Sequence, residues 1–316
     1  MASKELPHPL VVDRMNPVRL EKSLEAYPEG IIFPVDKPYR WTSSDVVRRI
    51  KYILRNHFQT KNIKIGHAGT LDPLATGLLI VCFGKACKLS EALQAEKKEY
   101  IAEFTLGATT PSFDREHPLD AVYSTEGLTV EKLLGAAEKF LEQSMQMPPA
   151  YSAKYVNGTR SYYLARNGED SALEPSPIKI YSSRLLYARI TDSSGSETEY
   201  EACNGARQVL EQLSRPSYGS DKDHNTFVVK KRIASEEEAP REIYTRDSLL
   251  DPDAIRSLPS AVLLTECSKG TYIRSMARDF GQWLSCGAFM SALRRTASGG
   301  FRVENALDVK EYFENL

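Results

Sequence analysis

The residues best able to do chemistry lie in one stretch, Gly66-His67-Ala68-Gly69-Thr70-Leu71-Asp72-Pro73-Leu74-Ala75-Thr76-Gly77-Leu78-Leu79. Asp72 is its one carboxylate, and His67 is its only other ionisable group. Gly66, Gly69 and Gly77 allow backbone angles that other residues resist, and Pro73 fixes the chain just after Asp72. A loop so constrained holds its carboxylate in one place, as a nucleophile or general base requires. The plain alternative is a glycine-rich turn before a buried strand, with Asp72 as a turn residue. A phosphate-cradling loop is excluded, because no Gly-Lys-Ser/Thr follows the glycines.

A second stretch runs Cys267-Ser268-Lys269-Gly270-Thr271-Tyr272-Ile273-Arg274 and on to Gly281. Its pattern predicts a strand, a turn and a helix, with Arg274 in the first turns. Read alone, that arginine is a surface ion-pair partner. Tyr100 sits at the start of an alternating segment, Lys97 to Gly107, that predicts a half-buried strand. By composition Tyr100 is a packed strand aromatic.

Other elements must position these groups. Ile31 to Val35 predicts a short strand entering Asp36-Lys37-Pro38. Thr42 or Ser43 then caps a helix whose Val46, Val47, Ile50, Ile53 and Leu54 share one face. Leu78 to Phe83 and Ala261 to Glu266 read as buried strands, and Lys179 to Ile190 as another. Lys85 to Gln94 and Thr129 to Gln143 read as helices. Residues 147–177, rich in proline, glycine and aromatics, read as a loop rather than an element. From Thr191 to about Ser260 serine, glycine and acids dominate, which predicts a polar insertion, partly disordered or a surface subdomain. Its Lys230-Lys231-Arg232 cluster reads as a solvated loop.

The 316 residues suffice for one large domain or two modest ones, and 41% hydrophobic content is ordinary for a globular chain. No apolar run is long enough to span a bilayer. Residues 1–30 are polar and proline-bearing, with acids that a mitochondrial presequence usually lacks, so they read as a mature extension. The compartment expected is nucleus or cytoplasm, with a mitochondrial fraction left open. The five cysteines form no Cys-x-x-Cys pair, which points to reduced thiols and away from a zinc site. With a net charge of -1, any nucleic acid must be gripped by local basic faces.

As a whole, residues 66–79 resemble the catalytic loop of the TruB family of pseudouridine synthases, G-H-x-G-T-L-D-P-x-A-x-G-x-L. Further segments resemble that family in its order. Asp36-Lys37-Pro38 through Ser43-Ser44 resembles D-K-P-x-G-x-T-S, although Arg40 stands where the family usually has glycine. Lys98-Glu99-Tyr100 resembles K-x-Y, and Asp114 falls on the aspartate of a G-x-x-T-x-T-x-D turn. Pro148 to Gly158 resembles the start of a mobile thumb, with its lysine displaced by one place to Lys154. Residues 267–281 resemble C-S-x-G-T-Y-I-R-x-L-A-x-D-x-G, and residues 293–301 resemble L-R-R-T-x-x-G-x-F.

The resemblance implies an α+β fold, a mixed, mainly antiparallel central sheet flanked by helices, spanning residues 31–316 with a thumb at about 147–177. The short remainder after Phe301 leaves no room for the RNA-binding PUA domain that many members carry. It implies a cofactor-free isomerase that converts the T-loop uridine of tRNA, conventionally numbered 55, to pseudouridine. Some mRNA with T-loop-like structure would be a further substrate, and the chain would act as a monomer without a membrane. Asp72 would be the catalytic carboxylate and Arg274 its partner. Tyr100 would stack on the uracil, with Leu293 as the opposite wall and Tyr272 completing the pocket. The Lys37-Pro38 turn would buttress it, and His67 would fill the vacated base stack, the alternative being a turn histidine bonded to backbone. Arg48, Arg49, Lys154, Arg160, Arg294 and Arg295 would contact phosphates. Two other readings stand beside it: the catalytic subunit of a guide-RNA-dependent pseudouridylase, and an RNA-folding protein with a vestigial site.

Overall fold

The computed structural model describes residues 6–152, 154–156, 158–169, 172–191, 196–202, 227–229, 242–244, 255 and 257–316. The chain opens with β1 (Leu10–Val11) and β2 (Ile31–Lys37), then α1 (Ser43–His57), β3 (Ile65–His67) and β4 (Ala75–Phe83). Next come α2 (Ser90–Ala95), β5 (Lys98–Leu106), β6 (Ala108–Thr109), β7 (Ala121–Val122) and α3 (Val130–Lys139). After it come β8 (Met145–Gln146), β9 (Tyr155–Val156), β10 (Thr159–Arg160), α4 (Ser161–Arg166) and β11 (Ser176–Pro177). Then follow β12 (Ile180–Thr191), β13 (Glu197–Glu201), β14 (Phe227–Val229), β15 (Glu242–Tyr244) and β16 (Ser260–Cys267). The chain closes with α5 (Ile273–Trp283), β17 (Ala288–Ser298) and β18 (Phe301–Arg302).

One ten-stranded sheet runs β1-β2-β4-β17-β5-β16-β12-β13, with β3 on β4 and β18 on β17. Only β1–β2 and β4–β17 pair in parallel, so the sheet is mixed and mainly antiparallel. The architecture is α+β, as expected. Hydrophobic alternation explains the layers. Phe33, Val35, Leu79 and Val81 pack against Val46, Ile50 and Leu54 of α1 and against Phe313. Further along the sheet, Ala102, Phe104 and Leu263 pack against Leu133 and Ala137 of α3 and against Met276 and Phe280 of α5.

Thr42, rather than Ser43, caps α1. Its Oγ1 accepts from the Asp45 amide at 3.0 Å, and the Asp45 carboxylate accepts from the Thr42 amide at 2.9 Å. Such a capping box stabilises a helix by about 1 kcal/mol. Residues 6–30, read as an extension, contribute an edge strand in register with Ile31 and Ile32, and bury Val12 and Leu20. The stretch 147–177, read as a loop, contains the β9–β10 ribbon and α4, and β8–β11 pairing closes its base. Within the polar stretch 191–260, β13 extends the main sheet and β14 pairs with β15. Its Ser-Gly-Glu runs, the Lys230-Lys231-Arg232 cluster and Cys203 lie outside the described residues. The described cysteines, Cys82, Cys87, Cys267 and Cys286, are free thiols.

Candidate active site

The row Gly77–Arg295–Tyr100–Thr265 crosses β4, β17, β5 and β16 side by side. It brings the end of the Asp72 loop next to the strand that carries Tyr100. The loop between β3 and β4 is then tied down by four neighbours. The Ser43 hydroxyl both donates to the Leu71 carbonyl (3.1 Å) and accepts from the Leu71 amide (2.9 Å). The Pro73 carbonyl accepts from Lys37 Nζ at 3.2 Å and from the Arg40 amide at 2.9 Å. Arg295 donates to the Leu78 carbonyl at 2.6 Å and to the Gly69 carbonyl at 3.1 Å. Gly69 and Gly77 sit at φ +102° and +99°, the left-handed region, which explains glycine at both places.

Arg274 enters from the first turn of α5. Its Nε lies 3.0 Å from Asp72 Oδ2 and its Nη1 3.5 Å from Asp114 Oδ2. It also donates to the Ser112 carbonyl at 3.4 Å and the Tyr151 carbonyl at 3.0 Å. Burial opposes its charge, but the Asp72 and Asp114 carboxylates outweigh that and hold its pKa above the usual arginine value. The helix is steered into place by Gln146, whose Oε1 accepts from the Tyr272 amide at 2.8 Å and whose Nε2 donates to the Tyr272 carbonyl at 3.2 Å. That side chain satisfies a helix-start amide that has no partner within the helix.

Asp72 keeps 37% of its side chain exposed, whereas its partner arginine is 7% exposed. Beside it Leu71, Ala75 and Leu293 are buried in one apolar cluster, with Tyr100 packed against it. Burial raises the Tyr100 phenol above its ordinary pKa, against the charge and hydrogen bond of Arg295, so it stays protonated at neutral pH. Burial likewise raises Tyr272. The result is an oriented carboxylate over an apolar, aromatic-walled floor. It can stack a flat base and present an oxyanion to the base or its sugar.

His67 lies on β3, opposite Val81, with Nδ1 buried and unpartnered. Burial and the Arg295 charge lower its pKa, against a backbone hydrogen bond at Gly69, which is the contact the turn-histidine alternative predicts. Lys37 is 0% exposed and spends its ammonium on three carbonyls, Pro38 (2.9 Å), Trp41 (2.5 Å) and Pro73 (3.2 Å). Lys37 and the buried Pro38 therefore shape the loop from below and present no donor to a substrate.

The basic residues read as phosphate contacts divide. Arg294 grips Asp36 with two bonds, 3.0 and 2.6 Å, and reaches Thr76 at 3.3 Å. Arg295 is 1% exposed and bound to carbonyls. Both belong to the scaffold, because a residue on a central strand must face one packed layer or the other. Arg48 pairs with Asp45, and Arg49 with Glu314. Lys154 bonds to the Ser176 hydroxyl and the Glu174 carbonyl. Arg160 lies over the Tyr155 ring at 5.1 Å and bonds to its hydroxyl at 3.1 Å.

Sequence reasoning placed Asp114 in a turn and gave it no role. The structure makes it the buried second carboxylate of Arg274. Ser112 Oγ donates to its Oδ1 at 2.6 Å, and so does the Glu116 amide at 2.9 Å. The available signal was Ser112 two residues before it, a hydroxyl able to donate to the carboxylate.

Residues 55–200 match the model of the TruB family pseudouridylate synthase N-terminal domain, and residues 274–313 match that of the tRNA pseudouridylate synthase B C-terminal domain. The chain is similar to tRNA pseudouridine synthase B of Phocaeicola vulgatus, 37% identical over 92% of this chain and 94% of that protein. The protein of the same name from Bacteroides fragilis is 35% identical, over 91% and 94%. That from Thermus thermophilus is 33% identical, over 89% and 76%. Among solved structures, a Cbf5-Nop10-Gar1 complex aligns with TM-score 0.49 at 23% identity, covering 90% of this chain and 54% of that one.

Proposed function

Because the chain belongs to the TruB family of pseudouridylate synthases, we propose that it is a stand-alone tRNA pseudouridine synthase acting on the T-loop uridine. The observation that carries this reading is the Asp72–Arg274 pair at 3.0 Å beside the floor of Leu71, Ala75, Tyr100 and Leu293. The isomerisation breaks the N1–C1′ bond, turns the uracil and joins C5 to C1′; the C5 proton leaves to water and N1 takes one up from water, so composition is unchanged. No redox step or added group is needed. Asp72 supplies the carboxylate that starts bond cleavage, and Arg274 fixes its orientation. Tyr100 stacks on the extruded base and, through its hydroxyl or a water it orders, helps remove the C5 proton. Leu293 faces the base from the far side. His67, neutral and without a bond at Nδ1, is suited to fill the gap left in the RNA stack.

The likeness to proteins named tRNA pseudouridine synthase B along 94% of their length supports action on tRNA without a guide RNA. On this reading the chain works as a monomer. A T-loop-like hairpin in mRNA offers the same chemistry and is a further substrate on this reading.

The test is tritium release from 5-³H-uridine-labelled tRNA transcript by purified protein alone. Release by the wild type, but neither by Asp72→Asn nor from a transcript without the T-loop uridine, is the expected result. Binding without release would reject stand-alone catalysis in favour of a guide-dependent enzyme or an RNA-folding protein.

A further inference from the structure

Four described non-glycine residues adopt positive φ: Arg40, Gln59, Phe113 and Ser285. Arg40, at φ +67°, is the one of these whose amide binds the Asp72 loop, through the Pro73 carbonyl at 2.9 Å. The turn could be made without strain by glycine, which is what the family pattern carries there. Arginine at this angle is a standing cost. A second cost lies in its side chain. Nε is buried without a hydrogen-bond partner, and its terminal nitrogens bond to nothing among the described residues. The guanidinium carbon lies over the Tyr39 ring, 5.6 Å from its centre, a cation–π contact. No carboxylate among the described residues neutralises it. The other cation of this turn, Lys37, is sealed beneath with all donors used.

We propose that Arg40 is a substrate-binding residue that grips a phosphate of the RNA strand beside the extruded nucleotide. A guanidinium held over a tyrosine ring keeps its two terminal nitrogens for parallel bonds to phosphate oxygens, which suits it to that ligand better than an ammonium. The bound phosphate would satisfy the terminal donors and offset the backbone strain. Because the same residue hydrogen-bonds to Pro73, gripping the strand also registers it against Asp72. This inference rests on the reading of the site as an RNA-modifying cleft.

The experiment compares wild type with Arg40→Gly, Arg40→Gln and Arg40→Lys in thermal melting, in filter binding of tRNA transcript at several salt concentrations, and in steady-state tritium release. Arg40→Gly is expected to melt at a higher temperature than wild type, because strain is relieved, while its KM rises about tenfold. The loss falls mainly on KM rather than kcat. For both neutral variants the slope of log affinity against log salt is expected to shrink by about 0.7, the share of one single-strand phosphate. Arg40→Lys should retain the slope and lose part of the affinity. Wild-type KM and an unchanged slope in Arg40→Gly and Arg40→Gln would overturn the proposal, as would a lower melting temperature for Arg40→Gly, which would make Arg40 a fold element. A wild type that binds tRNA but releases no tritium refutes the catalytic reading alone, and the binding slopes still decide the role of Arg40.

Discussion

Nη1 of Arg274 lies 3.5 Å from Oδ2 of Asp114, while Nε of the same guanidinium lies 3.0 Å from Oδ2 of Asp72. The two carboxylates differ in exposure, 2% for the Asp114 side chain and 37% for that of Asp72. One is an anchor and the other is reachable. Burial raises the Asp114 carboxyl above its ordinary value, against the pull of Arg274, Ser112 and the Glu116 amide. The arginine is thus held by a buried carboxylate while it orients an accessible one.

It follows that Asp114→Asn, which keeps the shape and removes the charge, should slow turnover without touching substrate. The expected loss in single-turnover rate is about tenfold or more, with stability lower by roughly 3 kcal/mol in urea unfolding. An unchanged rate would show that the Ser112 and Tyr151 carbonyls hold Arg274 unaided.

Lys37 gives a pH dependence with a definite sign. Burial pushes its pKa down to about 7, although Asp72 and Asp45 hold it up. In the unfolded chain it titrates near 10.4. Between about 7 and 10.4 the unfolded state binds more protons, so this group makes stability rise with pH across that window. Lys37→Met removes the linkage. The stability of wild type relative to Lys37→Met should therefore improve by up to about 1.4 kcal/mol per pH unit above neutrality, and stay level below it. Urea unfolding of both proteins across that range checks this. A level difference throughout would mean that the three carbonyls keep the buried ammonium charged.

The Asp72 loop was legible in the sequence because its constraints are local. Glycine at 69 and 77 and proline at 73 report backbone angles directly, and the spacing of Val46, Ile50 and Leu54 reports a helix face. What was illegible depends on long-range pairing. Arg294 and Arg295 look like a basic pair on a surface, yet β17 lies between β4 and β5 and both are enclosed by partners more than 200 residues away. Asp114 looks like a turn aspartate until Arg274 arrives from α5. Strand β1 has two residues, too few for any periodicity to announce it.

Gly77 faces Arg295 across the parallel β4–β17 pairing. A Cβ there would lie 2.3 Å from the Arg295 carbonyl oxygen and 2.7 Å from its amide nitrogen, both backbone atoms, at φ +99°. Gly77→Ala should force the two strands apart in the row that also holds Tyr100, with a stability loss of about 3 kcal/mol or more and loss of turnover. Gly135 of α3 is the control, since nothing lies within 4 Å of its added Cβ. Gly135→Ala should stabilise by up to about 1 kcal/mol. Thermal melts of the pair test the contrast, and equal melting temperatures would defeat it.

Arg294 provides the clearest separation of scaffold from RNA contact. Its two bonds to Asp36 and its reach to Thr76 tie β17 to β2 and β4, and the paired side chains are 12% and 18% exposed. Breaking the pair leaves a carboxylate largely out of water without its partner, so Arg294→Met should lower stability by about 2–4 kcal/mol. It should leave the salt dependence of tRNA binding as it was. Arg160 is bound only to Tyr155 among the described residues and has its remaining donors free. Arg160→Gln should therefore do the reverse, leaving the urea midpoint in place and reducing the salt slope by about 0.7 if it meets a single-strand phosphate. Urea unfolding and salt-dependent filter binding on both variants decide the matter. A reduced slope in Arg294→Met with unchanged stability would return that arginine to the RNA interface.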